Sequence, residues 1–254
     1  MTNAYLNLAA YLFADLDELP ALQQRLRRAG EHLQLRGTVL LAPEGINLFI
    51  SAAPAAARQW LAQLRDEQPL QAIECKESWS NNVAFGHWRV KIKPEIVTFR
   101  QPQVRPQDGR AAAIDATTLQ RWLTQGHDDD LRLVKLLDTR NSFEVEAGSF
   151  ERAEHLAIKS FTDLPKALAE QMQIGKDDRV VTFCTGGIRC EKAALYMADQ
   201  GYRHVLQLDG GVLNYFERVG GEHWLGELFV FDERIAIDPC LRPAAGKANE
   251  STVP

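Results

Sequence analysis

Apolar residues along this chain fall into short runs and helical stripes that alternate. The apolar stretch 5–13 predicts a strand. Leu22, Leu26, Ala29 and Leu33 recur at helical spacing and predict a helix over 19–35, with Pro20 near its start. Residues 37–42 and 46–50 predict two strands joined by a turn at Pro43, Glu44 and Gly45. A second helix is predicted over 53–64, followed by strands over 70–75 and 88–92. The order β-α-β-β-α-β, followed by one further strand, predicts a ferredoxin-like α+β domain over residues 1–100, an antiparallel sheet backed by two helices. Many sheets of this kind leave one face open for binding.

The pattern then changes. Gln101, Pro102, Gln103, Pro106 and Gly109 give residues 101–113 the composition of a linker. Over 114–238, predicted strands at 131–137, 153–158, 179–183 and 204–208 alternate with predicted helices at 116–123, 161–172, 189–200 and 212–219. That alternation predicts an α/β domain whose sheet is mainly parallel, with helices on both faces. Ligands of such sheets bind at the carboxyl ends of the strands, where Asp138 and Cys184 both fall. Residues 239–254, rich in Ala, Pro, Gly and polar side chains, are expected to be disordered.

Composition narrows the class. A chain of 254 residues has room for two ordinary domains, and 45% hydrophobic with 25% charged residues fits a soluble globular protein. No apolar run is long enough to span a membrane, and the start of the chain lacks the basic region and cleavage site of a secretory signal. Cys75, Cys184, Cys190 and Cys240 are too few and scattered for a disulfide framework, so reduced thiols and a cytoplasmic location are expected. There is no Cys-x-x-Cys or His-x3-His spacing and no Gly-x-Gly-x-x-Gly, so the sequence offers no metal, flavin or nicotinamide motif. The net charge of −5 argues against indiscriminate nucleic-acid binding. Arg89, Lys91, Lys93, Arg100, Arg105 and Arg110 nevertheless form a basic stripe opposed only by Glu95 and Asp108. Such a stripe is either a defined polyanion contact or a solvated face.

The candidate chemistry lies in Cys184-Thr185-Gly186-Gly187-Ile188-Arg189. The cysteine ends a predicted strand, the two glycines make a tight loop, and a helix begins directly after. Loop amides and the helix dipole then converge on one spot and favour negative charge there. A thiolate in that spot is stabilised, which makes Cys184 the expected nucleophile, with Arg189 adding fixed positive charge. Gly186 and Gly187 are expected to let the backbone turn its N–H groups inward. Arg140 and Glu144, four apart, are expected to pair on one helical turn as a brace. Asp138 is expected to accept loop amides or hold an arginine. Cys190 has two open roles: a resolving thiol for Cys184, or a small apolar side chain facing the core, which is the commoner use of such a cysteine.

Four residues separate Cys184 from Arg189, one fewer than a cysteine phosphatase needs to wrap a phosphate. The loop has the length found in rhodaneses, and Asp138, Arg140 and Glu144 resemble that family's Asp-x-Arg-x-x-x-Glu. The longer string from Phe183 through Cys184, Arg189 and Cys190 to Ala193 resembles the tRNA uridine(34) hydroxylase family. So do Gly37 to Asn47, Lys93-Pro94-Glu95-Ile96-Val97-Thr98 and Phe229 to Arg234. The resemblance implies a rhodanese-like catalytic domain after the ferredoxin-like one. It also implies oxygen-dependent formation of 5-hydroxyuridine at the tRNA wobble position, with dioxygen as co-substrate and the anticodon region of tRNA as partner. Cys184 would be the active residue, and Arg89, Lys91 and Lys93 are the candidate RNA contacts. A sulfurtransferase carrying sulfane sulfur on Cys184 is the alternative enzyme, and a binding module with an idle cysteine is a third reading.

Overall fold

The computed structural model describes residues 4–244, which form two compact units. The first comprises residues up to Thr98 together with Phe231–Ile235, and the second comprises Phe99–Val230 with Ala236–Ala244. Residues 101–113, expected as a linker, group with the second unit, and Phe231–Ile235 group with the first. Of the stretch expected to be disordered, residues 239–244 are held by bonds such as Cys240 N–H and Arg242 N–H to Asp238 Oδ1, both 2.9 Å. Residues 245–254 lie outside the described residues.

The first unit contains β1 (Tyr5–Phe13), α1 (Leu19–His32), β2 (Arg36–Ala42), β3 (Gly45–Ala52), α2 (Pro54–Arg65), β4 (Cys75–Ser80) and β5 (Trp88–Ile92). Its sheet has the order β4-β1-β3-β2-β5. All neighbours are antiparallel except β2 and β5, which run parallel, so the sheet is mixed rather than purely antiparallel. Helix α1 buries Leu22, Leu26 and Gly30, and α2 buries Ala57, Trp60, Leu61 and Leu64, each set at helical spacing. Gly30 has a steric reason: a Cβ there would lie 2.1 Å from the Trp88 ring, which stacks edge-on against Trp60. The strand predicted over 70–75 is displaced. Leu70–Ala72 form a single 3-10 turn that sinks Leu70 and Ile73 into the core, and β4 begins only at Cys75.

The second unit contains β6 (Ala113–Ile114), α3 (Ala116–Gln125), β7 (Val134–Asp138), α4 (Ser142–Val145), β8 (Gly148–Phe150), β9 (Glu154–His155) and α5 (Leu164–Gln171). It continues with β10 (Arg179–Phe183), α6 (Ile188–Asp199), β11 (His204–Leu208), α7 (Gly211–Val219), β12 (Trp224–Gly226), β13 (Leu228–Phe229) and β14 (Ala236–Ile237). Its main sheet, ordered β6-β11-β10-β7-β9, is parallel throughout. Three predicted elements shrink. The strand expected over 131–137 starts at Val134, because Asp128 Oδ1 takes the amides of Asp130 and Arg132 and leaves Leu131 and Leu133 exposed. The strand expected over 153–158 reduces to the two residues of β9. The helix expected over 161–172 opens as a 3-10 turn before α5. In register, Phe183 lies beside Asp138, so the loops after β10 and β7 leave the same end of the sheet side by side.

Candidate active site

Strand β10 delivers Cys184 to that end of the sheet, and Gly187 caps α6 in the left-handed conformation, φ 99°. The ring between them is closed by the Gly187 N–H, which donates to Cys184 Sγ at 3.1 Å. A glycine is required at 187, where an L side chain at that φ is strained. Gly186 differs from expectation: its φ is not positive and a Cβ there would meet nothing within 4 Å. It keeps one side of the loop open instead of bending it. Thr185 is buried, while Gly186 and Ile188 are the partly exposed points above the sulfur.

The charges around the loop are paired differently from the expected pattern. Arg140 does not pair with the Glu144 side chain. Its guanidinium donates to Asp138 through Nε, 2.9 Å, and Nη2, 2.6 Å, and to the Gly148 carbonyl, 2.7 Å. Asp138 also accepts the Arg140 N–H at 3.0 Å and the Ser149 hydroxyl at 2.7 Å. The Arg140 guanidinium lies 5.1 Å from the Trp224 ring centroid. Glu144 is left to hold Arg189 in a two-point contact, 2.5 and 2.7 Å, and to accept from the Asn141 N–H at 3.1 Å. Both pairs are buried, so each charge needs its partner. The spacing misled because α4 spans only Ser142–Val145 and Arg140 precedes it, so no helical turn joins 140 to 144.

Electrostatics at the sulfur follow from these contacts. Burial by itself raises the Cys184 thiol. Against it act a hydrogen bond from the Cys190 thiol, the Arg189 charge, and the amides of Arg189 and Gly187, and the balance lowers the thiol to about 6. Burial, reinforced by the Cys184 contact, pushes Cys190 well above its ordinary value. Burial likewise pushes Cys75 in the first unit up to about 11. Burial works against the charge on Arg189, but the Glu144 hydrogen bond and charge prevail and raise its proton affinity. These contacts favour the thiolate of Cys184 at neutral pH, beside a Cys190 thiol that keeps its proton. Among the described residues, no three His, Cys, Asp or Glu side chains gather as a metal site.

Residues 5–96 match the UPF0176 acylphosphatase like domain, and residues 115–218 match the Rhodanese-like domain. A Variovorax paradoxus protein named tRNA uridine(34) hydroxylase is 50% identical over 244 residues, covering 96% of this chain and 93% of that protein. A Bordetella petrii protein of the same name is 50% identical over 249 residues, 98% of this chain and 99% of that one. The chain belongs to the tRNA uridine(34) hydroxylase family. Its architecture is accordingly an acylphosphatase-like, ferredoxin-type domain followed by a rhodanese-like domain.

Within this hydroxylase-family fold, two site residues escaped the sequence analysis. Thr139 takes the Phe183 carbonyl with its N–H and its hydroxyl, both 3.0 Å, and its Oγ1 lies 3.7 Å from Cys190 Sγ. Gly211 opens α7 at φ 65°, and a Cβ on it would lie 2.5 Å from the Cys184 carbonyl oxygen and 2.6 Å from Gly187 N. The amides after it clamp the loop: Val212 N–H donates to the Cys184 carbonyl and Leu213 N–H to that of Thr185, both 3.0 Å. The signal available in the sequence is the Gly210-Gly211 pair ahead of the last predicted helix.

Arg89 and Lys91 alternate with buried Val90 along edge strand β5 of the first unit, and Lys93 follows one residue past its end. All three are exposed. Farther along the basic stripe, two arginines are taken up by ion pairs within the second unit, Arg105 with Asp108 at 2.6 Å and Arg110 with Glu191 at 2.7 Å. No helix of the described residues is long and apolar enough to cross a membrane.

Proposed function

We propose that this chain hydroxylates uridine 34 of tRNA to 5-hydroxyuridine, with dioxygen as co-substrate and Cys184 as the catalytic nucleophile, in the cytoplasm where tRNA resides. The observation that carries the reading is the near-full-length identity to relatives bearing the hydroxylase name. The loop alone would serve sulfur transfer equally well. Its chemistry suits the hydroxylase: a thiolate at the base of the loop adds to uracil C6 and raises electron density at C5, where the oxygen must go. The base has to leave its stack to reach a buried sulfur, which costs a few kcal/mol and least in a single-stranded anticodon loop. Arg89, Lys91 and Lys93 supply charge for the tRNA phosphates.

The test is incubation with tRNA lacking the modification under labelled dioxygen, followed by nucleoside mass spectrometry. Labelled 5-hydroxyuridine, lost without oxygen and lost in Cys184→Ser, is the expected result. Thiosulfate-dependent thiocyanate formation with unchanged tRNA, both in vitro and in tRNA from a deletion strain, would establish the sulfurtransferase instead.

A further inference from the structure

Hydroxylation of a C–H bond by dioxygen leaves an account to close. One oxygen atom enters the product, and the other must leave as water, which takes two electrons and two protons from a donor. Two features of the second unit bear on that donor. Cys184 and Cys190 are both free thiols with no exposed surface. Gly187 touches both residues, its N–H donating to Cys184 Sγ at 3.1 Å and its carbonyl accepting the Cys190 N–H at 3.0 Å, and each thiol shifts the proton affinity of the other. Cys190 is held from its other side by the Thr139 hydroxyl at 3.7 Å, itself anchored on the Phe183 carbonyl at 3.0 Å. A cysteine serving only as core filler has no need of a polar anchor on one side and a nucleophile on the other.

We infer that Cys190 is a second catalytic cysteine, and that the Cys184–Cys190 pair is the two-electron donor for the hydroxylation. The inference rests on the hydroxylase reading. Written with its balance, uridine, dioxygen, the Cys184 thiolate, the Cys190 thiol and one proton from solvent become 5-hydroxyuridine, water and one disulfide. The O–O bond, the uracil C5–H bond and the Cys190 S–H bond break, as does the transient bond from Cys184 to uracil C6. A C5–O bond, the S–S bond and the O–H bonds of water and the new hydroxyl form. The sulfurs are oxidised by two electrons together with the carbon by two, and dioxygen takes up all four. The C5 hydrogen leaves as a proton, and it, the Cys190 proton and one proton from solvent complete the water and the new hydroxyl. Cys184 is the sulfur that meets the base, and Cys190 captures it afterwards. A dithiol reductant then reopens the disulfide by exchange, and the next turnover begins.

The experiment uses the full chain and unmodified tRNA, first reduced, then freed of reductant and exposed to oxygen. Trypsin cuts after Arg179, Arg189 and Lys192, so the two cysteines fall on separate peptides, 180–189 and 190–192. A disulfide between them gives one cross-linked species. The expected result is one such cross-link for each 5-hydroxyuridine formed, at most one product per chain without reductant, and many with dithiothreitol. A control without tRNA should retain both thiols at that oxygen exposure. Cys190→Ala and Cys190→Ser should each lower reductant-dependent turnover at least tenfold while Cys184 still alkylates. Product formed with both thiols intact, or wild-type turnover in a folded Cys190 variant, would overturn this inference and leave the hydroxylase reading standing. Absence of 5-hydroxyuridine from both the wild-type reaction and the cell would overturn that reading and this inference with it.

Discussion

The Glu144–Arg189 pair carries two roles that a double substitution separates. It braces the loop, and it supplies the cation that holds Cys184 as a thiolate. Arg189→Gln alone leaves the Glu144 carboxylate buried without its partner, which should cost about 3–5 kcal/mol. With a urea slope of about 2 kcal/mol/M, the midpoint of the second unit should fall by about 1.5–2.5 M. Glu144→Gln with Arg189→Gln restores a neutral, hydrogen-bonding pair and should recover most of that loss. The electrostatic role does not recover. By Coulomb's law a unit charge within roughly one side-chain contact of a sulfur, on the order of 5 Å, at an effective dielectric constant of about 20, is worth about 3 kcal/mol, or about 2 pH units. Removing Glu144 as well acts with the opposite sign, so the double variant should raise the Cys184 thiol by about 1–2 units.

The assay is the rate of iodoacetamide alkylation at the Cys184 peptide against pH. The reactive species is the thiolate, so the wild-type rate should be flat above pH 7. It should fall about tenfold per unit below its midpoint near 6, as the thiolate is protonated. The double variant should show the same curve moved to higher pH. A stable double variant that keeps its midpoint near 6 would refute the claim that Arg189 sets the charge on this sulfur.

Two further outcomes follow from the loop and the edge strand. Gly211→Ala forces a side chain at φ 65° into the backbone of the Cys184 loop, a strain of at least about 1–2 kcal/mol before the clash is counted. It should abolish the low alkylation midpoint, whereas Gly186→Ala, facing open space, should fold and keep it. Equal profiles for the two variants would show that α7 does not shape the loop. Replacing Arg89, Lys91 and Lys93 together with glutamine should weaken tRNA binding and flatten its dependence on log salt concentration by about two to three units of slope. An unchanged slope in filter binding would make that strand edge a solvated surface.

What the sequence determined by itself is what depends on neighbours along the chain. The Cys184 to Arg189 loop is contiguous, so its strand, glycine turn, helix start and nucleophile were legible as a string. The β-α-β-β-α-β order was legible because core strands and amphipathic helices differ in period. Strand β4 was misplaced because it is a polar, half-exposed edge, while Leu70 and Ile73, the apolar residues before it, are buried from a turn. Only the tertiary structure decided the charge pairs. Spacing joined Arg140 to Glu144, but the short α4 gives no turn between them, and each found a stronger partner across the site in Asp138 or Arg189. The same holds for Thr139 against Cys190, separated by 51 positions, and for Gly211 against the Cys184 carbonyl. Those contacts exist because parallel pairing of β7 with β10, in one register, brings two distant loops to the same end of one sheet.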